Sequence, residues 1–264
     1  MAPISVEQWV DQRQMAGRYT FLRREAVAET GRSAEAVRKA LQRMTRRGRL
    51  AKVKDYFYVI VPLEYASVGV PPASWFVDDL AAAMGISYYV GVLSAAAQYG
   101  ASHHAPQEFQ VVTDRYLRPI SVRHLRLRFL TSKFVPRAAV NEINTPTGTM
   151  RVSTPETTAV DLVRFCKAAG GLDHVATVIA ELSTSLDPEE LLAAARLVGD
   201  VPNTRRLGYI LEQVGVPEAA EKLHEWVRGQ VSRSVALRTG CSHRGGVEDH
   251  RWKVLVDRPL EVET

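Results

Sequence analysis

The sequence has little cysteine and no hydrophobic run long enough to cross a membrane. Its two cysteines, Cys166 and Cys241, belong to no CxxC pair, which is typical of a protein in a reducing cytoplasm. The least polar long stretch, residues 88–101, is too short and too polar for a bilayer, which needs about 20 apolar residues. The N-terminus shows no basic segment followed by an apolar one, so we expect no signal peptide. These absences predict a cytoplasmic protein that does not enter a membrane.

The sequence also lacks the motifs of common catalytic and phosphate-binding sites, namely GxxxxGKS/T, GxGxxG, GxSxG and HExxH. The candidate metal ligands form two sets whose spacing matches no known site: His103 with His104, and Cys241 with His243 and His250. Glu108 and Gln110 lie on a predicted strand and resemble part of a metal-dependent nuclease site, but such a site needs a lysine where Gln110 stands. We therefore expect no cofactor, no bound metal and no enzymatic activity.

What the sequence has in excess is positive charge, and that charge is concentrated near the N-terminus. Thirteen of the first 61 residues are Lys or Arg and six are Asp or Glu, a net charge of +7, whereas the other 203 residues carry a net charge of −2. Positive charge concentrated on a compact helical unit is typical of nucleic-acid-binding proteins. The alternative is a solvated basic face that has no partner.

The third helix predicted within residues 1–61 is amphipathic. The expected helices are residues 5–15, 21–29 and 33–47, with Gly31 in a tight turn and Ser33 as an N-cap. Apolar residues of the third helix recur at i, i+3, i+4 and i+7 and form its buried face: Val37, Ala40, Leu41 and Met44. The opposite face carries side chains that bond bases and phosphates: Glu35, Arg38, Lys39, Gln42 and Arg46. Two helices joined by a short glycine turn predict a helix-turn-helix.

After the third helix, residues 49–61 predict a β-hairpin with its tip near Lys54 and Asp55, which would complete a winged helix. The predicted DNA-binding residues are Arg32, Ser33, Arg38, Lys39, Gln42, Arg43, Arg46, Arg47, Arg49, Lys52 and Lys54. We expect Arg38, Lys39 and Gln42 to enter the major groove. Arg32 and Ser33 should lie near phosphates at the helix start. The cations expected to neutralise phosphates are Arg46, Arg47, Arg49, Lys52 and Lys54. The alternative is a winged helix that contacts another protein.

The rest of the chain predicts a linker and a second domain. Residues 62–72, which end in two prolines, predict an extended linker, and residues 73–264 an α+β domain. The predicted helices are residues 74–84, 91–99, 155–168, 172–182, 188–198, 204–214 and 217–229. The predicted strands are residues 109–113, 125–129, 150–152 and 252–256, with residues 232–250 irregular. The expected fold is thus α+β: an N-terminal winged helix-turn-helix followed by a mixed α/β domain with a helical C-terminal tail.

Four segments occur in an order that is similar to a known family: TFLRREAVAETGRSAEAVRKALQRMTRRGRL, YFYVIVPLEY, PPASWFVDDLAAAMGISYYVGVLSAAAQYGASHHAPQEFQVVTDR and VSTPETTAVDLVRF. In this order the chain resembles the AbiEi-type antitoxins of bacterial abortive-infection, or type IV, toxin–antitoxin systems. The resemblance extends from about Thr20 to about Glu181 and weakens in the helical tail.

The resemblance implies a cytoplasmic protein with two functions. Its winged helix is expected to bind inverted repeats in the double-stranded DNA of its own promoter, and so to repress its own operon. A homo-oligomer of the protein on this DNA is one expected arrangement. Its C-terminal domain is expected to counteract a cognate nucleotidyltransferase toxin, directly or functionally. The family offers no agreed catalytic residues to carry over. Two alternatives stay open: a winged-helix transcriptional regulator whose C-terminal domain senses a small molecule, and a metal-dependent nuclease.

Overall fold

The structure, a computed structural model, describes residues 4–101, 107–230, 233–238 and 246–262 and has a mixed α+β fold. Its N-terminal elements are α1 (Val6–Met15), β1 (Thr20–Leu22), α2 (Arg23–Thr30), α3 (Ala34–Arg46), β2 (Leu50–Lys54) and β3 (Phe57–Ile60). The strands form an antiparallel three-stranded sheet in the order β1-β3-β2. The helices and this sheet enclose one hydrophobic core around Trp9, Phe21 and Leu41.

The first and third helices begin where their capping residues predict. Ser5 accepts a hydrogen bond from the backbone N–H of Gln8 at 3.1 Å, and Ser33 accepts one from Ala36 at 3.3 Å. Gly31 ends α2 with a left-handed φ of 65°, a conformation that favours glycine. These local signals fix the turn between α2 and α3 and therefore the direction in which α3 leaves it.

The predicted start of the second helix is wrong, because residues 20–22 form β1. Phe21 is paired with Tyr58 in the antiparallel register, and their rings stack with centroids 5.6 Å apart. The edge of the Trp9 ring also meets Phe21, at a centroid distance of 5.0 Å. Pairing with β3 satisfies the backbone of this segment and buries Phe21, so α2 begins only at Arg23. The hairpin predicted as two-stranded is thus part of a three-stranded sheet.

Residues 62–72 are not extended throughout. They contain a 3-10 turn, Leu63–Tyr65, and they bury Val70, which is 2% exposed. Val70 lies in a hydrophobic cluster with Val59 of β3 and with Leu80, which belongs to the next helix. Burying these apolar side chains stabilises the fold more than an extended, solvated path would. The N-terminal sheet and the following residues therefore share a continuous core.

A six-stranded mixed sheet occupies the middle of the chain. Its strands are β4 (Tyr88–Val90), β5 (Phe109–Thr113), β6 (Ile120–Val122), β7 (Leu125–Thr131), β8 (Val140–Thr145) and β9 (Gly148–Ser153), in the order β6-β7-β5-β4-β9-β8. The pairs β5–β7 and β4–β9 are parallel and the others are antiparallel. Two helices accompany the sheet: α4 (Val77–Met84) and α5 (Val92–Ala96). The predicted strands at 109–113, 125–129 and 150–152 are confirmed within β5, β7 and β9.

Three strands escape prediction because their sequences do not alternate clearly. All residues of β4 are buried, β6 has only three residues, and β8 is a largely polar edge strand. The helix predicted over residues 91–99 is shorter and ends in a 3-10 turn, Ala97–Tyr99. Gly91 allows a close approach here, because a Cβ at this position would lie 2.7 Å from the side chain of Val112.

Helices dominate the rest of the chain, close to where the sequence predicts them. They are α6 (Pro155–Arg164), α7 (Leu172–Leu182), α8 (Pro188–Val198), α9 (Val201–Gln213) and α10 (Pro217–Val227). Thr154 caps α6 by accepting from the N–H of Thr157 at 3.3 Å, and Asp187 caps α8. α6 ends earlier than predicted, and the amide of Gln110 binds the carbonyl of Ala168 at 2.8 Å in the turn that follows. None of the described helices is both long and apolar enough to cross a bilayer.

The segment 232–250 is predicted to be irregular, but its described parts, residues 233–238 and 246–250, contribute two strands to a small sheet. Its strands are β10 (Val235–Ala236), β11 (Val247–Asp249) and β12 (Val254–Val256), in the order β10-β12-β11. Trp252 is 1% exposed and its ring lies directly on Gly208 of α9, where a Cβ would collide with it. Arg205 is buried beside it and donates to the carbonyl of Trp252 at 2.5 Å. These contacts attach the small sheet to the helices.

Candidate nucleic-acid interface

The outer face of α3 is exposed and cationic. The buried stripe on its inner side is the one that the sequence predicts. The exposed predicted side chains on its outer side are Arg38, Lys39, Gln42, Arg43 and Arg46. The sequence therefore predicts correctly which side of α3 is solvated, and that side carries most of the predicted interface.

A groove of about 570 Å³ lies between this face of α3 and the hairpin formed by β2 and β3. Its lining combines four cations with a single carboxylate: Arg23, Arg38, Gln42, Thr45, Arg46, Lys52, Asp55 and Tyr58. The groove is concave, open to solvent on one side and strongly positive. Such a surface attracts polyanions and raises their local concentration.

The arginines of the groove are available to a ligand. Within the part of the chain that the structure describes, the side chains of Arg23, Arg38 and Arg46 make no hydrogen bond or ion pair. Lys52 is paired with Asp55 at 3.0 Å, and this hydrogen bond raises the pKa of Lys52 and lowers that of Asp55. Because the pair is exposed, it contributes little to stability, and a phosphate can replace the carboxylate.

Tyr58 forms part of the groove wall and is 5% exposed. Burial raises the pKa of its hydroxyl, so the group stays protonated at neutral pH and keeps its hydrogen-bond donor. A protonated tyrosine among cations adds a directed donor for a phosphate oxygen or a base edge. The groove therefore offers both fixed charge and directional hydrogen bonding.

Arg49, predicted to contact a phosphate, has internal hydrogen-bond partners in the structure. Its guanidinium donates to Asp11 at 2.8 Å and to the carbonyl of Val61 at 3.3 Å, and it also contacts Gln14. These bonds join α1 to the residues on either side of the hairpin. Arg49 thus positions α1 against the hairpin and lies outside the groove lining.

The other predicted residues are not part of the groove lining. Lys39 is paired with Glu35 at 2.9 Å, and Arg47 lies 3.6 Å from Glu7 of α1. Both pairs are exposed. Arg43 is exposed and Lys54 is half-buried at the end of β2. Near the start of α3, Arg32 donates to the carbonyl of Ile4 at 3.4 Å, and the Ser33 hydroxyl is occupied by its cap.

Sequence reasoning missed Arg23 and Tyr58. The predicted helix over residues 21–29 placed Arg23 inside the helix, whereas it is the first residue of α2 and donates its backbone N–H to the carbonyl of Tyr56 at 2.9 Å. Tyr58 is one of several β-forming residues in the hairpin, and only its pairing with Lys52 shows that the two lie together. The sequence signal that could have identified Tyr58 is an aromatic residue placed opposite a lysine in a basic hairpin.

Glu108 and Gln110, considered above as part of a nuclease-like site, each bind other residues of the fold and do not form a site together. Glu108 is paired with Arg128 at 3.2 Å, and Gln110 is buried with its amide oxygen accepting from the N–H of Leu93 at 2.9 Å. Among the described residues, no group of three or more His, Cys, Asp or Glu side chains is arranged to hold a metal ion. Residues 103, 104, 241 and 243, considered above as metal ligands, lie outside the described residues.

Comparison with known proteins finds a family match over part of the chain and a similar fold. The family model of the AbiEi antitoxin C-terminal domain matches residues 89–213, from β4 to the end of α9. The crystal structure of the RV2827C protein from Mycobacterium tuberculosis superposes with a TM-score of 0.68, covering 97% of this chain and 92% of that one at 14% sequence identity. At this identity the likeness concerns the fold. No curated protein matches the sequence significantly.

Proposed function

We propose, since the chain belongs to the AbiEi-type antitoxin family through its residues 89–213, that it is a DNA-binding antitoxin. In this proposal the N-terminal unit binds the promoter of its own operon and represses it. The C-terminal domain counteracts a cognate nucleotidyltransferase toxin. The family match supports an antitoxin role in a toxin–antitoxin system, and the groove between α3 and the hairpin supports the DNA-binding role.

The proposal treats the N-terminal unit as a winged helix-turn-helix. α2 and α3 are joined by the turn at Gly31, and β2 with β3 forms the wing. Arg38 and Gln42 lie on the exposed face of α3 and suit the edges of guanine and adenine, which accept and donate paired hydrogen bonds in the major groove. Lys52 of the wing suits a phosphate, which needs only a nearby positive charge.

The main support for DNA binding is that the groove between α3 and the hairpin is both concave and positively charged. Arg23, Arg38 and Arg46 project into it from two different helices and form no hydrogen bond or ion pair within the described residues. The alternative is a solvated basic face that has no partner. On such a face the arginines would have no reason to line the same concave surface. The net charge of +7 in residues 1–61 adds attraction over a longer range.

A mobility-shift assay with the protein's own promoter tests the DNA-binding part. We expect Arg38→Ala and Gln42→Ala each to weaken operator binding by about 1–3 kcal/mol, the usual worth of a bidentate base contact. Lys222→Ala is the matched control, because this exposed lysine pairs with Glu189 of α8 and lies outside the groove. Unchanged promoter binding by both groove variants would show that α3 does not read the operator.

Co-expression tests the antitoxin part. We expect the gene next to this one to encode a nucleotidyltransferase, and its induction to arrest growth unless the full-length protein is present. Arg38→Ala should keep that protection, because the family match begins at residue 89. Absence of protection together with ligand-dependent promoter binding would instead favour a regulator whose C-terminal domain senses a small molecule.

A further inference from the structure

A second cationic cavity lies in the C-terminal domain, far along the chain from α3. It has a volume of about 370 Å³ and is bounded by β7, the end of α6 and the beginning of α9. Its polar and charged lining comes from Arg128, Arg164, Lys167, Asn203 and Arg206. The lining includes no carboxylate, so four positive groups face one small space.

Only part of this charge is compensated by the protein. Arg128 is paired with Glu108 at 3.2 Å, and Arg164 lies 3.9 Å from Asp161 and donates to the hydroxyl of Ser132 at 2.8 Å. Within the described ranges, neither Lys167 nor Arg206 has a carboxylate at ion-pair distance. The pocket therefore keeps a surplus of positive charge.

Arg206 is held rigidly although it has no carboxylate partner. Its Nε donates to the carbonyl of Ala236 at 2.9 Å, and its Nη1 donates to the side-chain oxygen of Asn203 at 2.7 Å. Its Nη2 makes no hydrogen bond to any described residue, so the N–H donors on this edge of the guanidinium are left for a ligand. Burial lowers the pKa of Arg206, which means that the charged form is poorly solvated where it stands. An anion at this point would offset that loss of solvation.

The remaining wall of the pocket is apolar and contains an aromatic ring. Phe165 lines the cavity, and the guanidinium of Arg164 lies over its ring, 4.9 Å from the centroid. Leu130 and Val163 extend the apolar part. An apolar wall facing a set of cations suits a ligand with a flat apolar part and a phosphate. The volume falls within the about 300–1,000 Å³ of typical small-molecule sites.

We propose that this pocket binds a phosphate-bearing small molecule of nucleotide size. Lys167, Arg206 and Arg128 hold its phosphate, and the wall at Phe165 takes its apolar part. This goes beyond the antitoxin and repressor roles, neither of which assigns a ligand to the C-terminal domain. The ligand proposal can be wrong while the antitoxin and repressor roles are right, because a protein without such a ligand can still bind its promoter and oppose its toxin.

Calorimetric titration of the full-length protein with ATP, inorganic phosphate and adenosine tests the proposal. We expect ATP and phosphate to bind and adenosine to bind far more weakly, because the phosphate carries the recognition. Lys167→Ala should weaken ATP binding about tenfold, since it removes a charge-assisted contact. Lys222→Ala also removes one exposed lysine, but outside the pocket, and should leave ATP binding unchanged. Equal weakening by both variants would mean that ATP only condenses on a basic protein.

Cys166 gives an independent readout, because it is a free thiol that also lines the pocket. ATP should slow the alkylation of Cys166 by iodoacetamide, measured on its peptide by mass spectrometry, and should do so less in Lys167→Ala. Alkylation that is indifferent to ATP would overturn the proposal. Protection by a single-stranded oligonucleotide but not by ATP would overturn it too, by showing that the pocket takes a nucleic-acid backbone.

Discussion

The hydroxyl of Thr20 donates a 2.5 Å hydrogen bond to a carboxylate oxygen of Asp79, and this contact joins β1 of the N-terminal unit to α4. Val59 of β3 and Leu80 of α4 lie in one hydrophobic cluster near the same junction. The units to which we assign repression and toxin neutralisation are therefore packed against each other, and changes in one are expected to affect the stability of the other.

Removing the N-terminal unit should separate the two functions at a loss of stability. A chain that starts at Pro62 should lose promoter binding but still protect cells from the toxin, because the family match lies entirely beyond that point. It exposes Val70 and Leu80, which pack on the N-terminal sheet, so we expect a lower melting temperature than in the full chain. Circular dichroism and growth rescue measure the two effects. A folded truncated protein that gives no protection would place part of the antitoxin function in the N-terminal unit.

The wing lysines should contribute salt-dependent, sequence-independent affinity. Replacing Lys52 and Lys54 together by alanine should weaken binding to operator and random DNA alike. It should also flatten the slope of log K against log salt by roughly two units, about 0.9 for each phosphate contact. Fluorescence anisotropy at several salt concentrations measures both quantities, with Lys222→Ala as the control. A loss confined to the operator would mean that the hairpin reads bases.

Arg49 should act on stability more than on DNA binding. Arg49→Ala removes its bonds to Asp11, Gln14 and the carbonyl of Val61, and we expect a loss of about 1–2 kcal/mol in the free energy of unfolding. Arg49→Lys keeps the charge but not the planar fork, so it should recover only part of that loss. Urea denaturation gives the stabilities. If Arg49→Ala leaves stability intact and lowers the salt slope by about one unit, the residue contacts a phosphate after all.

The buried pair of Asp161 and Tyr89 should make stability depend on pH. The tyrosine hydroxyl donates to the carboxylate at 2.7 Å, and burial raises the pKa of Asp161 to about 6 from its ordinary 3.8. A carboxyl whose pKa is raised in the folded state favours folding below its unfolded pKa. That contribution is lost as the pH rises through about 6.

Asp161→Asn keeps an acceptor for Tyr89 but cannot ionise. We compare the free energy of unfolding of this variant with that of the unsubstituted protein at pH about 4 and at pH about 7. Between these two pH values the difference should shift in favour of the variant by up to about 3 kcal/mol, at about 1.36 kcal/mol for each unit by which the pKa is raised. Denaturation curves at both pH values give the difference, in which other titrating groups cancel. A difference that does not change with pH would show that Asp161 titrates normally.

The sequence predicts the elements whose signals are local. α3 follows from the cap at Ser33 and from the apolar spacing, and α8 from the Asp-Pro-Glu start, so both lie almost where predicted. β1 and β4 depend on partners distant in sequence, such as Tyr58 for Phe21, and their own residues carry no clear period. β8 pairs with its neighbour β9, but it is a largely polar edge strand without a clear apolar face. Pairing of that kind appears only when the whole chain is folded.

The same distinction applies to the candidate sites. Helical spacing alone is enough to place Arg38, Gln42 and Arg46 on one face of α3. It cannot show that Arg23 joins them or that Arg49 faces Asp11, because those relationships depend on the angle between α1, α3 and the hairpin. The pocket at Arg206 leaves no trace in the sequence, since its cations come from three separate parts of the chain: β7, the end of α6 with the turn after it, and α9.

The contact of Trp252 with Gly208 makes these two positions interdependent in evolution. A methyl group at position 208 would overlap the indole, so Gly208 can change only if the ring at position 252 becomes smaller or moves. Members of the family with this packing should therefore show correlated replacement at the two positions: glycine wherever tryptophan is kept, and a larger residue only beside a smaller ring. Such covariation would identify which relatives attach the small sheet to α9 in the way seen in this chain.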